Sequence, residues 1–176
     1  MAQNPHTGSD SDLLDAFESR GNGTAFAEQI FALAGHSQFF AEFNRDDTAV
    51  LASYLHIYRA QPGQAMIREG DIGDYMLLVI SGEVGVSRKN PQGEPQHMAS
   101  VTGGMTLGEM SMIDGEARFA TCVARQETTF GVLSRANMSK IVLENPSLGA
   151  KILIRLVTML SQRLRHTSAM LLQYMR

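Results

Sequence analysis

Leu107-Gly108-Glu109-Met110-Ser111-Met112-Ile113-Asp114-Gly115-Glu116-Ala117-Arg118-Phe119-Ala120-Thr121 is the stretch whose chemistry organises the reading of this chain. It holds a glycine, an acid, a short apolar run, an Asp-Gly turn and an arginine, with Glu109 and Arg118 nine positions apart. One or two helical turns from Glu109 to Ile113 would leave the first backbone N–H groups without intrahelical acceptors, which makes an anion site. Arg118, returning after the Asp114-Gly115 turn, adds a charge-assisted fork to the same anion. A carboxylate cannot favour a phosphate, so Glu109 needs another task. Accepting a hydrogen bond from a sugar hydroxyl fits, as acids do for ribose in dinucleotide sites. An anion site beside a hydroxyl acceptor describes a nucleotide.

Gly108-Glu109-Met110-Ser111 followed by Arg118-Phe119-Ala120-Thr121 resembles the phosphate-binding cassette of cyclic nucleotide-binding domains. That family occurs in catabolite activator proteins, regulatory subunits of cAMP-dependent protein kinase and gated ion channels, and the spacing is similar to the kinase-subunit form. The resemblance continues upstream through Pro62-Gly63, Arg68-Glu69-Gly70-Asp71, Gly73-Asp74 and Ser81-Gly82-Glu83-Val84, and covers Phe39 to Leu172. It implies that Arg118 neutralises a cyclic phosphate, helped by backbone N–H groups of Glu109, Met110, Ser111 and Ala120. It further implies that Glu109 accepts the ribose 2′-OH, that Gly82 lies close to the ribose where a Cβ would intrude, and that Gly108 lets the backbone approach the ligand. Phe119 departs from the small or hydroxylated residue usual after the arginine. In the family a threonine there favours guanine, so the resemblance points to cAMP ahead of cGMP. The phenylalanine either stacks on the base or fills part of the pocket. Thr121 supports the base or the pocket through its hydroxyl. A base-capping residue is expected from the C-terminal helix, of this subunit or a partner, and no residue there stands out.

The rest of the composition narrows the class. At 176 residues, one domain with a sizeable core is the expectation. The formal net charge of -3 argues against a nucleic-acid surface. A single cysteine, Cys122, excludes an internal disulfide framework. No apolar run approaches the roughly 20 residues that span a bilayer, and no signal peptide is evident. A cytoplasmic protein without a membrane partner is expected. The five histidines are scattered without metal-ligand spacing, so no metal site is expected.

In chain order, residues 1–23 read as a disordered tail and residues 24–176 as the cyclic nucleotide-binding domain. Thr24 is a candidate cap for a helix ending at Gly35, Phe39, Phe40 and Phe43 form an aromatic plug, and a second helix starts at Asp46 or Asp47. From Tyr58 short strands alternate with glycine turns, a pattern of seven or eight strands that suggests a jelly roll or a similar antiparallel barrel. The resemblance implies a mainly β fold with flanking helices: an eight-stranded antiparallel jelly-roll barrel, N-terminal helices and a long C-terminal helix. Ser134 caps one C-terminal helix, Asn145-Pro146 breaks it, and the long helix runs from about residue 147. Leu153, Val157, Leu160, Leu164, Thr167, Leu171 and Tyr174 fall at heptad spacing on that helix. Such a seam either packs on its own domain or pairs with its copy in a homodimer.

No catalytic constellation appears: no nucleophile elbow, P-loop or metal triad. A helix-turn-helix module, which follows the domain in the family's transcription activators, is not expected here. The expected function is therefore a non-enzymatic, stand-alone cyclic nucleotide sensor whose ligand moves the C-terminal helix and a dimer or protein-partner surface. The alternative is a non-binding jelly-roll scaffold that acts through that helix.

Overall fold

The structure is a computed structural model and describes residues 13–174. Nine strands are present among the described residues: β1 (Glu18–Asn22), β2 (His56–Ala60), β3 (Ala65–Ile67), β4 (Tyr75–Ser81), β5 (Glu83–Lys89), β6 (Pro95–Thr102), β7 (Thr106–Leu107), β8 (Thr121–Ala124) and β9 (Thr128–Ser134). They form a five-stranded sheet in the order β1-β2-β9-β4-β7 and a four-stranded sheet in the order β3-β8-β5-β6. Every pairing is antiparallel. The ladders end at β1 and β7 in one sheet and at β3 and β6 in the other, so two open sheets replace the closed eight-stranded barrel expected from the sequence. Five helices follow the expected places: α1 (Ala27–Ala32), α2 (Arg45–Ser53), α3 (Glu109–Asp114), α4 (Arg135–Glu144) and α5 (Pro146–Tyr174). Among the described residues no helix is long and apolar enough to cross a membrane.

Strand β4 shows why its sequence is a continuous apolar run rather than an alternating one. Leu77 and Val79 enter a core with Phe130, Met66, Val84, Val101 and Ala124, drawn from both sheets. Met76, Leu78 and Ile80 enter a second core made with the helices. A strand covered on both faces has no solvent side to mark with polar residues. The second core holds Phe39, Phe40 and Phe43, whose ring centroids lie 5.0, 5.6 and 5.3 Å apart pairwise, together with Leu51, Ile141, Ile152 and Leu156. The aromatic plug thus lies between sheet and helices.

The tail expected to be disordered through residue 23 is ordered over its described part. Leu13 and Phe17 are buried among the inter-sheet residues, and β1 adds to the edge of β2. Residues 1–12 lie outside the described residues. The first helical turn (Gly23–Phe26) is capped by Asn22, which accepts from the Thr24 N–H at 2.9 Å, rather than by Thr24. Helix α2 starts with a reciprocal cap between Asn44 and Asp47. Ser134 caps α4, its Oγ accepting from the Asn137 N–H at 3.1 Å. Pro146 then stands at the first position of α5, where its missing N–H costs nothing.

Helix α5 has 29 residues, about 43 Å at 1.5 Å per residue. Leu148, Ile152, Leu156 and Met159 are its buried stripe, and Lys151 pairs with Asp47 at 2.6 Å. The heptad residues lie on a different face. Leu153, Val157, Leu164 and Leu171 are 41%, 64%, 68% and 58% exposed. The helix therefore packs on its own domain with one apolar face and presents a second to solvent.

Candidate functional site

The site is assembled where β7 runs into α3. Gly108 takes a left-handed conformation (φ 74°) at the N-cap of α3, which glycine adopts without steric penalty. A Cβ at this position would stand 2.5 Å from Arg118 Nη1 and 2.9 Å from Ile67 Cδ1. The glycine is what allows the arginine to lie against the backbone. Arg118 is 2% exposed. Its Nη1 donates to the carbonyls of Tyr75 (2.8 Å) and Gly108 (2.9 Å), and its guanidinium lies 4.6 Å from the centroid of the Tyr75 ring. The Arg118 backbone N–H donates to Asp71 O at 2.8 Å, and its carbonyl accepts from the Gly70 N–H at 2.9 Å. This strap is the local task of the Arg68-Glu69-Gly70-Asp71 motif.

The far end of α3 is tied to the helices. Arg135, at the start of α4, donates from Nε to Met112 O at 2.6 Å and from Nη2 to Ser111 O at 2.8 Å. These carbonyls close the last turn of α3, where a cation is favoured. The near end is tied to α5: Glu109, 2% exposed, pairs through Oε1 with Arg163. Its second oxygen, Oε2, is buried and has no hydrogen-bond partner among the described residues, and the same holds for Thr106 Oγ1. Buried polar atoms are satisfied as a rule, so two open ones at one place signal a missing partner. Both residues line a cavity of about 110 Å³, with Arg118 and Arg163 among its other walls.

The sequence profile of the cyclic nucleotide-binding domain family matches residues 57–145. The chain belongs to the cyclic nucleotide-binding domain family. A crystal structure of a cyclic nucleotide-binding domain from Methylobacillus flagellatus KT is 35% identical to it, with a TM-score of 0.81 over 95% of this chain and 96% of that one. The cyclic AMP receptor protein of Thermus thermophilus is 27% identical over 129 residues, 73% of this chain and 58% of the relative. A cAMP-dependent protein kinase regulatory subunit from Blastocladiella emersonii is 25% identical over 120 residues, 68% of this chain and 30% of the subunit. The chain thus corresponds to less than two thirds of either curated relative.

In this cyclic nucleotide-binding domain, Gly108, Glu109, Met110, Ser111, Arg118, Phe119 and Ala120 line the cavity together, as one cluster. Gly82 and Thr121 are not among the lining residues. Gly82 turns β4 into β5, and a Cβ there would stand 2.5 Å from both Glu127 O and Thr128 Oγ1. Its requirement for glycine is met by this packing. The Thr121 hydroxyl is engaged by the Glu69 N–H at 3.0 Å. Arg163 was not singled out by the sequence. It lies 54 residues from its partner Glu109, and the only cue was one cation among several on α5. Cys122 is buried at 4% exposure and lies in the cavity wall. Among the described residues no group of His, Cys, Asp and Glu could hold a metal ion.

Proposed function

We propose that this regulatory domain is a non-catalytic sensor that binds a 3′,5′-cyclic nucleotide, cAMP ahead of cGMP, and reports it through α5. The observation that carries the reading is the buried Oε2 of Glu109, without a hydrogen-bond partner among the described residues, on a carboxylate that lines the same cavity as Arg118. Arg118 supplies the counter-charge for the cyclic phosphate, and Glu109 Oε2 accepts the ribose 2′-OH. Arg163 holds Oε1 and so fixes the carboxylate. The preference for cAMP draws on the absence of a hydroxyl at Phe119 and on relatives whose names state cAMP.

The link to α5 is supported by geometry. Arg163 closes the cavity from α5, and Arg135 grips α3 from α4. A nucleotide enters when α5 swings outward, pivoting near Asn145-Pro146, and the Glu109–Arg163 pair re-forms over it. Ligand and helix position are then coupled free energies. The exposed apolar face of α5 fits a second copy of this chain, giving a homodimer whose interface responds to the nucleotide. A net charge of -3 supports output through protein contacts in the cytoplasm rather than through nucleic acid. The alternative, a scaffold that binds no nucleotide, draws on the same exposed face.

The test is calorimetric titration of nucleotide-stripped protein with cAMP and then cGMP, read beside the melting temperature. Saturable binding with a raised melting temperature is expected. No heat and no thermal shift with either nucleotide would leave the scaffold reading.

A further inference from the structure

A second groove, of about 470 Å³, lies between α5, the segment that follows α1 and the turn from β6 into β7. Helix α5 contributes Met159, Gln162, Arg163 and His166, which fall at i, i+3, i+4 and i+7 and so share one helix face. His36 and Gln38 stand on the facing segment, and Gly104 and Met105 on the turn. Two of these walls are tied together. Ser37 Oγ donates to Gly104 O at 2.5 Å and accepts from the Phe40 N–H at 3.2 Å, and the Gly104 N–H donates to Val79 O at 2.8 Å. Arg155, earlier on α5, donates to Gln38 O from Nε at 2.8 Å and from Nη2 at 2.5 Å, which holds the helix against them.

The charge of this groove runs against that of the chain. Arg163, His36 and His166 line it and no aspartate or glutamate does, although the formal net charge is -3. A guanidinium and two imidazoles offer hydrogen-bond donors, the imidazoles in either protonation state. The buried Phe39 and Met159 supply apolar surface beside them. A few polar groups set around an apolar wall are the make-up of a small-molecule site, and the volume is in the usual range. Arg163 is also a wall of the inner cavity, where its Nη1 holds Glu109. Its side chain is 49% exposed, so one cation borders both spaces.

We propose that this groove is a second ligand site, for a small organic anion with a carboxylate or phosphate head and an apolar body, and that its occupant opposes the cyclic nucleotide. The head binds Arg163, His36 and His166, and the body packs on Phe39, Met105 and Met159. An anion drawn to Arg163 competes with Glu109 for that cation, and its charge repels the cyclic phosphate. The coupling is reciprocal, so the nucleotide weakens the anion by the same factor. The coupling rests on the nucleotide reading above, whereas the groove itself does not.

The experiment is calorimetric titration of wild type and of a double variant, His36→Ala with His166→Ala, using phenyl phosphate, inorganic phosphate and phenol as probes. Titrations with cAMP at rising phenyl phosphate follow. Both histidines are exposed, and melting temperatures check that the variant is folded. Wild type is expected to bind phenyl phosphate more tightly than either of its halves. The double variant is expected to bind it about tenfold or more weakly and to keep its affinity for cAMP. In wild type the apparent cAMP affinity is expected to fall about fivefold or more and then level off as the groove fills. No binding of phenyl phosphate, or equal binding in the double variant, would overturn the site. A cAMP affinity that falls without limit would place the probe on Arg118 in direct competition and overturn the coupling. Probe binding that is lost in the double variant of a protein that binds no cAMP would uphold the groove and remove the nucleotide reading alone.

Discussion

Gly108→Ala tests the geometry of the site through a single methyl group. The residue sits at φ 74°, where a non-glycine residue costs about 1–2 kcal/mol. The new Cβ would also lie 2.5 Å from Arg118 Nη1. Arg118 is 2% exposed and has no solvent to move into. Its displacement breaks one of the bonds to Tyr75 O and Gly108 O, and a hydrogen bond from a charged group contributes about 1.5–3 kcal/mol. Together these give about 2.5–5 kcal/mol, or a melting temperature lower by roughly 5–20 °C for a chain of this size. Gly115→Ala is the internal control. It has φ 77° at the other end of α3, but its nearest neighbour would be Arg135 Nη2 at 3.5 Å, so only the backbone strain applies. Thermal unfolding of the two variants in parallel separates the backbone strain from the clash with Arg118 and with Ile67 Cδ1, 2.9 Å away, and cAMP titration shows whether a displaced Arg118 weakens the phosphate site. Equal, small shifts for both variants would refute the packing of Arg118 against Gly108.

Arg163→Met leaves Glu109 Oε1 buried without its cation, which is expected to destabilise the fold by about 1–3 kcal/mol and to speed cAMP dissociation, read by thermal unfolding and stopped-flow displacement. Leu164→Asp and Leu171→Asp are expected to convert a dimer into a monomer by light scattering while leaving the melting temperature of the domain in place, since both side chains are more than half exposed. Truncation at Pro146 would not make the same test, because it removes Leu148, Ile152, Leu156 and Met159 from the core. Tyr54 donates a hydrogen bond to Glu144, which raises its pKa above the ordinary tyrosine value. The neutral phenol then contributes stability that is fully present below about pH 10 and is lost as pH rises through the raised folded value. Tyr54→Phe should flatten that alkaline decline in a stability-versus-pH series.

What was legible in the sequence is what rests on local chemistry. The glycine, acid and arginine of the cassette announce a backbone turn and a charge pattern within a few residues of one another. Ser134 and Asn145-Pro146 mark helix boundaries by capping and by a missing N–H. Strand β1 was not legible, because Glu18-Ser-Arg-Gly-Asn22 has no apolar alternation and gains its order only from pairing with β2. The seam of α5 was legible as periodicity, but not which of two apolar faces the domain would cover. Leu148, Ile152, Leu156 and Met159 win because they face the aromatic plug. Arg163 reaches the site from α5, and only the folded chain brings that side chain to Glu109.

The most direct measurement compares cAMP with 2′-deoxy-cAMP on wild type and on Glu109→Ala by calorimetry. A Glu109 oxygen that accepts the ribose hydroxyl gives wild type a preference for cAMP of roughly 10- to 150-fold, the worth of one hydrogen bond to a charged group. That preference disappears in Glu109→Ala, where the two ligands bind alike. Equal affinity of wild type for both ligands, or the same preference in the variant, would contradict the assignment of the open carboxylate oxygen to the sugar.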